Sequence, residues 1–255
     1  MKIWVNHGLV DSNSITLSAD NWPDGFGVFE TIKTVDGQAY ALNRHMRRAL
    51  DAGARVGVHI PKEDHIRTAI ETLLSEVPHS IGRLRLLFQQ DGTFMATHDA
   101  YIEIDHNLDL CTYSARVDIR GIPNKTFPYT SRLDILAEAK SRGCDEAIVL
   151  NSDNEVCEGA VSNLIFYSNG VWVTPPILHG VLPGVMRALV VENLPVKVRK
   201  VTADDLSRTQ AAIVISSLKI AIPVHSIDGR VLPDIAISEN FSKEIREMAR
   251  RTSVG

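Results

Sequence analysis

Several short stretches of the chain carry residue types that could do chemistry together. Lys125 stands in GIPNKTFPYTSRL, just ahead of a helical pattern. A lysine there suits Schiff-base formation, because burial lowers an amine's pKa; the same spacing also fits an exposed loop lysine. Glu158 stands in EVCEGAVSNLIF, a strand-like run, among Val156, Cys157, Gly159, Ala160 and Val161. An acid with such neighbours either faces water or meets a cation inside, since a buried unpaired charge is costly. Gly184-Val185-Met186-Arg187 opens a helical run after Pro183, and Ser216-Ser217-Leu218 follows the buried-strand pattern AAIVI. Backbone N–H groups at such starts can hold an anion, although every strand-to-helix turn has them. Arg48, on the helix after Asn43, adds a charge-assisted bond to the same anion or lies on a solvated face.

Other templates are set aside. The chain contains no GxSxG, no P-loop and no HExxH, and its nine histidines are scattered without ligand spacing, so no metal site is expected. Gly25 and Gly27 form a lone GxG before a strand, not before a helix. Cys111, Cys144 and Cys157 are odd in number and far apart, which argues for a reducing compartment rather than a disulfide framework. The net charge of −4 excludes the basic signature of nucleic-acid or anionic-membrane binders. MKIWVNHGLVDSNS has no signal-peptide run and no stretch approaches a membrane span, so the cytoplasm is the expected compartment.

The elements that must position these residues follow from periodicity. KIWVN, SITLS and VFETIKT read as strands, and VDGQ as a hairpin turn before AYAL. Asn43 is placed to cap a helix through Val56, and a second helix follows Pro61. RLRLLFQQ and AYIEID return to strand, and the pattern loosens from Asp105 to Pro123. Beyond it come the helix YTSRLDILAEAKSRG, the strands EAIVLN, EVCEGAVSNLIFY and VWVTPP, the helix VMRALVVENL and the strand AAIVISS. A hairpin at SIDGRVL and a closing helix SENFSKEIREMARR, capped near Ser238 or Asn240, complete the chain. The expected class is mixed α/β (α+β) in two units: 1–108, a linker at 109–122, and 123–255.

In this order and spacing the chain resembles the fold-type IV (class IV) pyridoxal-phosphate enzymes, which include branched-chain and D-amino-acid aminotransferases and 4-amino-4-deoxychorismate lyase. The resemblance runs from Trp4 to Ile227 through GVFETIKTVDGQAYALNRHMRRAL, KTFPYTSRLDILAEAKSRGCDEAIVLN, EVCEGAVSNLIF, TPPILHGVLPGVMRALVVE and SSLKIAIPVHSIDG. It implies a two-domain fold like that of D-amino-acid aminotransferase, with pyridoxal 5′-phosphate (PLP) between the domains, and a homodimer acting on a small molecule. Lys125 matches the lysine that binds the cofactor covalently, and Tyr129 the tyrosine near its phenolic oxygen. Arg48, in His45-Met46-Arg47-Arg48-Ala49, matches the phosphate-binding arginine of the HxxRL motif. Val185 and Met186 match one phosphate-binding turn, and Ser217 and Leu218 the other. Glu158 matches the glutamate at the pyridine nitrogen, which would give its charge a partner and leave Gly159 and Ala160 as clearance for a flat ring. Thr31 lies near the cofactor in members of the family, and Arg85 sits where branched-chain enzymes carry a substrate-side arginine; each is equally an ordinary strand residue.

The chain departs from the family in three places. The usual GDG reads Gly25-Phe26-Gly27, the threonine of GITR is Met186, and QQDGTFMATHDAY replaces the arginine- and histidine-bearing loop of D-amino-acid aminotransferases. The 255-residue length, the SSLKIAIPV stretch and the CEGAVSN and GVMR variants resemble the lyase. The implied reaction is conversion of 4-amino-4-deoxychorismate to 4-aminobenzoate and pyruvate, in folate biosynthesis. A class IV aminotransferase acting on branched-chain or other amino acids is the alternative, and an inactive homologue with a binding role a third.

Overall fold

The computed structural model describes residues 2–15, 17, 22–117 and 121–252. The chain divides into two compact units. One takes the chain as far as Glu103 and then Asn124–Tyr129, and the other takes Ile104–Pro123 and Thr130–Thr252.

The first unit opens with β1 (Lys2–Val5) and β2 (Gly8–Asp11), continues through β3 (Gly27–Val35) and β4 (Gln38–Ala39) to the helices α1 (Leu42–Val56) and α2 (Glu63–Glu76), and returns in β5 (Ile81–Gln89) and β6 (Phe94–Ala100). β3 pairs with β5 over its whole length, from Gly27 opposite Gln89 to Val35 opposite Ile81. Period-two alternation then sorts its side chains. Val28 and Ile32, with Leu84, Leu86 and Phe88 of β5, meet Met46, Ala49, Ile66 and Leu73 of the two helices. Phe29, with Leu87, Met95 and Ile3, packs into a separate apolar cluster. The VDGQ turn forms as expected, with Asp36 and Gly37 both at positive φ, 49° and 77°, the pairing a tight hairpin needs.

The second unit begins with β7 (Leu108–Val117); after β8 (Thr126–Phe127), which pairs with β3, come α3 (Thr130–Ser141), β9 (Glu146–Asn151), β10 (Val156–Gly159), β11 (Asn163–Ser168), β12 (Val171–Thr174), α4 (Val185–Asn193), β13 (Val196–Val198), α5 (Ala203–Arg208), β14 (Ala211–Ile215), β15 (Ile222–Ile227), β16 (Arg230–Val231) and α6 (Ile235–Thr252). The strand order is β10-β9-β7-β15-β14-β11-β12-β13, with β16 on β15. β9 is buried throughout. Ile148 and Leu150 enter one cluster, while Ala147 and Val149 enter another with Ile135 and Ala139 of α3.

Five expectations are corrected. The stretch 109–122 is not simply a linker, because most of it is β7, held parallel to both β9 and β15. AYIEID is not a strand: after Tyr101 donates to Ile81 the partner strand has run out, and Ile102 is exposed. α1 starts at Leu42 and is entered through Ala41 in a left-handed conformation, so Asn43 is inside the helix. α6 starts at Ile235, which places Ser238 within the helix and buried. EVCEGAVSNLIF is two strands joined by a turn, because β10 ends at Gly159 and β11 starts at Asn163. The expected SITLS strand lies partly outside the described residues. No helix among the described residues is long and apolar enough to cross a membrane.

Gly27, at the start of β3, is required by packing. A Cβ there would lie 2.2 Å from the Phe88 carbonyl oxygen and 2.5 Å from the Phe127 ring. Gly27→Ala should therefore destabilise the protein by about 1–3 kcal/mol, the usual cost of overpacking, measured as a lower urea midpoint at unchanged slope.

Candidate active site

In the first unit the chemistry gathers along β3. On one side Lys125 precedes β8, whose pairing with β3 is extended by a Phe29 N–H to Lys125 carbonyl bond of 3.0 Å. The Lys125 amine lies 4.3 Å from the centre of the Phe29 ring and 5.2 Å from that of Tyr129. Phe29 and Tyr129 meet edge to face at 5.0 Å, and Trp22 closes on Phe29 at 4.7 Å. The Arg85 guanidinium stacks on Trp22 at 4.8 Å. Thr31 stands directly opposite Arg85 in the β3–β5 register and is half-buried. Lys125, Tyr129 and Arg85 thus join one aromatic cluster, with the part-buried amine against the ring faces.

Alternation along β3 turns Glu30 the other way, and it is fully buried. Its two oxygens accept from Arg48 Nε at 2.8 Å and Nη2 at 2.5 Å, and His45 Nδ1 lies 2.6 Å from Oε2. Burial pushes the Glu30 carboxyl upward, but the Arg48 guanidinium and then His45 outweigh it and hold it at about 2. Burial also dominates at His45 and lowers its pKa, with Glu30 opposing. The arrangement that satisfies both shifts is a carboxylate forked by Arg48 and accepting Nδ1–H from a neutral imidazole.

In the second unit the central group is Glu158, 5% exposed. Between Val156, opposite Leu150, and Gly159, opposite Ile148, β10 advances three residues while β9 retreats two. The extra residue is a β-bulge, a device that re-aims side chains, and Glu158 sits on it. Arg132 Nη2 donates to Oε1 at 2.6 Å, while Asn163 Nδ2 at 3.1 Å and the Leu182 N–H at 2.9 Å donate to Oε2. Asn163 also reaches the Leu182 carbonyl at 3.2 Å, so the approach to α4 is fastened to the same carboxylate. Gly184 precedes α4, and a Cβ on it would fall 1.8 Å from Asn163 Oδ1. The N-cap residue Gly184 has no side chain to cap the first turn of α4, where Val185 and Met186 lie buried. Arg187 is buried with Nη2 on the Pro175 carbonyl at 2.8 Å; burial lowers its pKa and Glu158 opposes the shift.

The second expected anion turn, Ser216 to Leu218, is held from within. Ser216 accepts the Lys219 N–H on Oγ at 3.1 Å and the Ile220 N–H on its carbonyl at 2.8 Å. Lys219 Nζ then reaches Glu146 Oε2 at 2.9 Å. Glu146 is fully buried and also accepts from Ser162 Oγ at 2.8 Å and the Ala160 N–H at 3.0 Å. A Cβ on Gly159 would meet Ser162 Oγ at 2.3 Å. The small size of Gly159 therefore makes room for Ser162 and Glu146.

Sequence reasoning missed Glu30, His45, Arg132, Glu146 and Lys219. All five lay inside quoted stretches, and an acid at an inward strand position was an available signal. The bulge behind Glu158 and the Arg132 pairing left no signal in the sequence.

The donor set fits PLP. The first unit offers an amine among aromatic rings, and the second separately offers a buried carboxylate and a helix start whose N-cap is a glycine; these are residue types that such a cofactor uses. These features define a class, the PLP-dependent enzymes of fold type IV. The chain belongs to the amino-transferase class IV family, whose model matches residues 27–227, and PLP is its cofactor. It is 28% identical to a putative branched-chain-amino-acid aminotransferase of Methanocaldococcus jannaschii, over 97% of this chain and 94% of that protein. It is 26% identical to a bifunctional aminodeoxychorismate lyase / D-amino acid transaminase of Mycobacterium tuberculosis, over 86% and 88% respectively. The fold matches the crystal structure of the branched-chain aminotransferase of Thermoproteus uzoniensis with a TM-score of 0.84 at 23% identity, covering 99% of this chain and 96% of that one. The chain is thus a PLP-dependent class IV enzyme, a transaminase or a lyase.

The Glu30 pair has a pH signature. A folded-state pKa of about 2, below the ordinary glutamate value of 4.5, means stability present above pH 4.5 and lost as pH falls through 2. Glu30→Gln should cost roughly 3 kcal/mol at pH 7, and chemical denaturation should show that deficit shrinking as pH falls from about 5 toward 2.

Proposed function

We propose that this protein is a PLP-dependent lyase that converts 4-amino-4-deoxychorismate to 4-aminobenzoate and pyruvate, a step in folate biosynthesis. In this reading Lys125 anchors the cofactor, and Arg48, the Val185 and Met186 N–H groups and those of Ser217 and Leu218 hold its phosphate. Tyr129 serves the phenolic oxygen and Glu158 the pyridine nitrogen. When bound, PLP supplies an electron-accepting ring that stabilises the charge left as a C–H bond beside the substrate nitrogen breaks. Lys125, freed as an amine by substrate, takes that proton as general base. The aromatic rings around Lys125 keep water from the amine, and Thr31 and Arg85 border the same cluster as substrate-side candidates. The active form is read as a cytoplasmic homodimer.

The observation that carries the lyase reading is the Ser216–Ile220 turn. In the branched-chain enzymes the corresponding loop receives an amino acid's carboxylate. Here the Lys219 and Ile220 N–H groups close on Ser216, and the Lys219 side chain is taken by Glu146. Transamination is the second reading, favoured by the likeness to branched-chain enzymes along nearly the whole chain. It shares the proton-removal step and differs in where the proton is returned.

A paired assay tests the choice. Aminodeoxychorismate should yield 4-aminobenzoate and pyruvate in equal amounts, while leucine or D-alanine with 2-oxoglutarate should give far slower turnover. Transamination without pyruvate release from aminodeoxychorismate overturns the lyase. Lys125→Ala should lose about 100-fold or more of either activity, and borohydride should no longer fix PLP to the protein.

A further inference from the structure

Arg132 stands in the KTFPYTSRL stretch without any role matched to the cofactor, yet its guanidinium is the cation that meets Glu158. The Nη2–Oε1 contact is 2.6 Å, with the two side chains 16% and 6% exposed. Arg132 Nη1 and Arg187 Nε are buried without a hydrogen-bond partner. Glu158 acts electrostatically on Arg187 as well. Arg132 thus pairs directly with Glu158, and Arg187 feels the same carboxylate.

Three other ionisable groups of the second unit near Glu158 in sequence or sheet are neutral or otherwise paired. Cys157, on the same strand, is pushed up to about 11, by burial first and by Glu158 next, and stays a neutral thiol. Glu155 is engaged by His179 and Lys200. Glu146, on β9, is neutralised by Lys219.

We infer that Arg132 is a positioning residue that damps protonation of the cofactor's ring nitrogen by sharing the carboxylate assigned to it. This rests on the reading of Glu158 as the partner of that nitrogen. Two effects act in the same direction. The ion pair stabilises the Glu158 anion, which makes it a weaker proton acceptor, and the nearby cation disfavours positive charge on the nitrogen. The ring is then a weaker electron sink than an unshared glutamate would make it. That level suffices for an elimination whose aromatic product makes the step downhill.

The test uses protein loaded with PLP labelled with ¹⁵N in the ring, and follows the nitrogen's chemical shift with pH. Arg132→Met should raise the midpoint of ring-nitrogen deprotonation by about one to three pH units over the unsubstituted protein. Arg132→Gln keeps a donor to Oε1 without the charge; it should show the same rise and serves if the methionine variant folds poorly. Arg132→Lys should stay close to the unsubstituted protein. An unchanged or lowered midpoint in the neutral variants overturns the inference. Failure of the underlying reading looks different: Glu158→Gln would then leave the midpoint where it was, whatever Arg132 does.

Discussion

A carboxylate taken out of water must find cations or N–H donors, because desolvation otherwise drives it to pick up a proton. In the second unit that demand is met at Glu158 by three elements at once. Arg132 comes from α3, Asn163 from the start of β11 and the Leu182 N–H from the approach to α4. Satisfying one acid thus fixes the bulge on β10, the turn into β11 and the entry to the helix whose first turn is read as a phosphate seat. Gly184 has no room for a side chain because Asn163 is already there. Electrostatics and packing are the same constraint at this point.

The first unit solves the equivalent problem with Glu30. Its fork to Arg48 and its bond to His45 fasten α1 to β3, while the opposite side of β3 carries Phe29 beneath the Lys125 amine. Arg48 is therefore not a flexible surface cation awaiting a phosphate. Two of its nitrogens are committed to Glu30, which orients the guanidinium before any ligand arrives. Preorganised cations of this kind bind anions with little ordering cost.

Glu146 repeats the logic a third time, joining the Ala160–Ser162 turn to Lys219 and hence to the Ser216–Ile220 turn. Each of the three buried acids lies on a strand and fastens neighbouring segments of its own unit. Cofactor chemistry is shared across the family, so choice of reaction falls to the loops. The departures from the family pattern read in the sequence are Gly25-Phe26-Gly27, Met186 at the start of α4 and QQDGTFMATHDAY.

Much of this was legible in the amino-acid order. VFETIKT and RLRLLFQQ were legible as strands, Asp36-Gly37 as the turn, and the motifs around Lys125, Arg48 and Glu158 pointed to the cofactor. The capping box that starts α5, Thr202 with Asp205, was also readable and was overlooked. What needed the tertiary structure was long-range pairing. A bulge exists only as a mismatch between two strands, so EVCEGAVSNLIF by itself could not say where Glu158 points. Likewise the cation opposite Glu158 comes from 26 residues away on α3. Local sequence decides which residues are helical, extended or apolar; which buried charge meets which partner is decided only when separate elements pack and water is excluded.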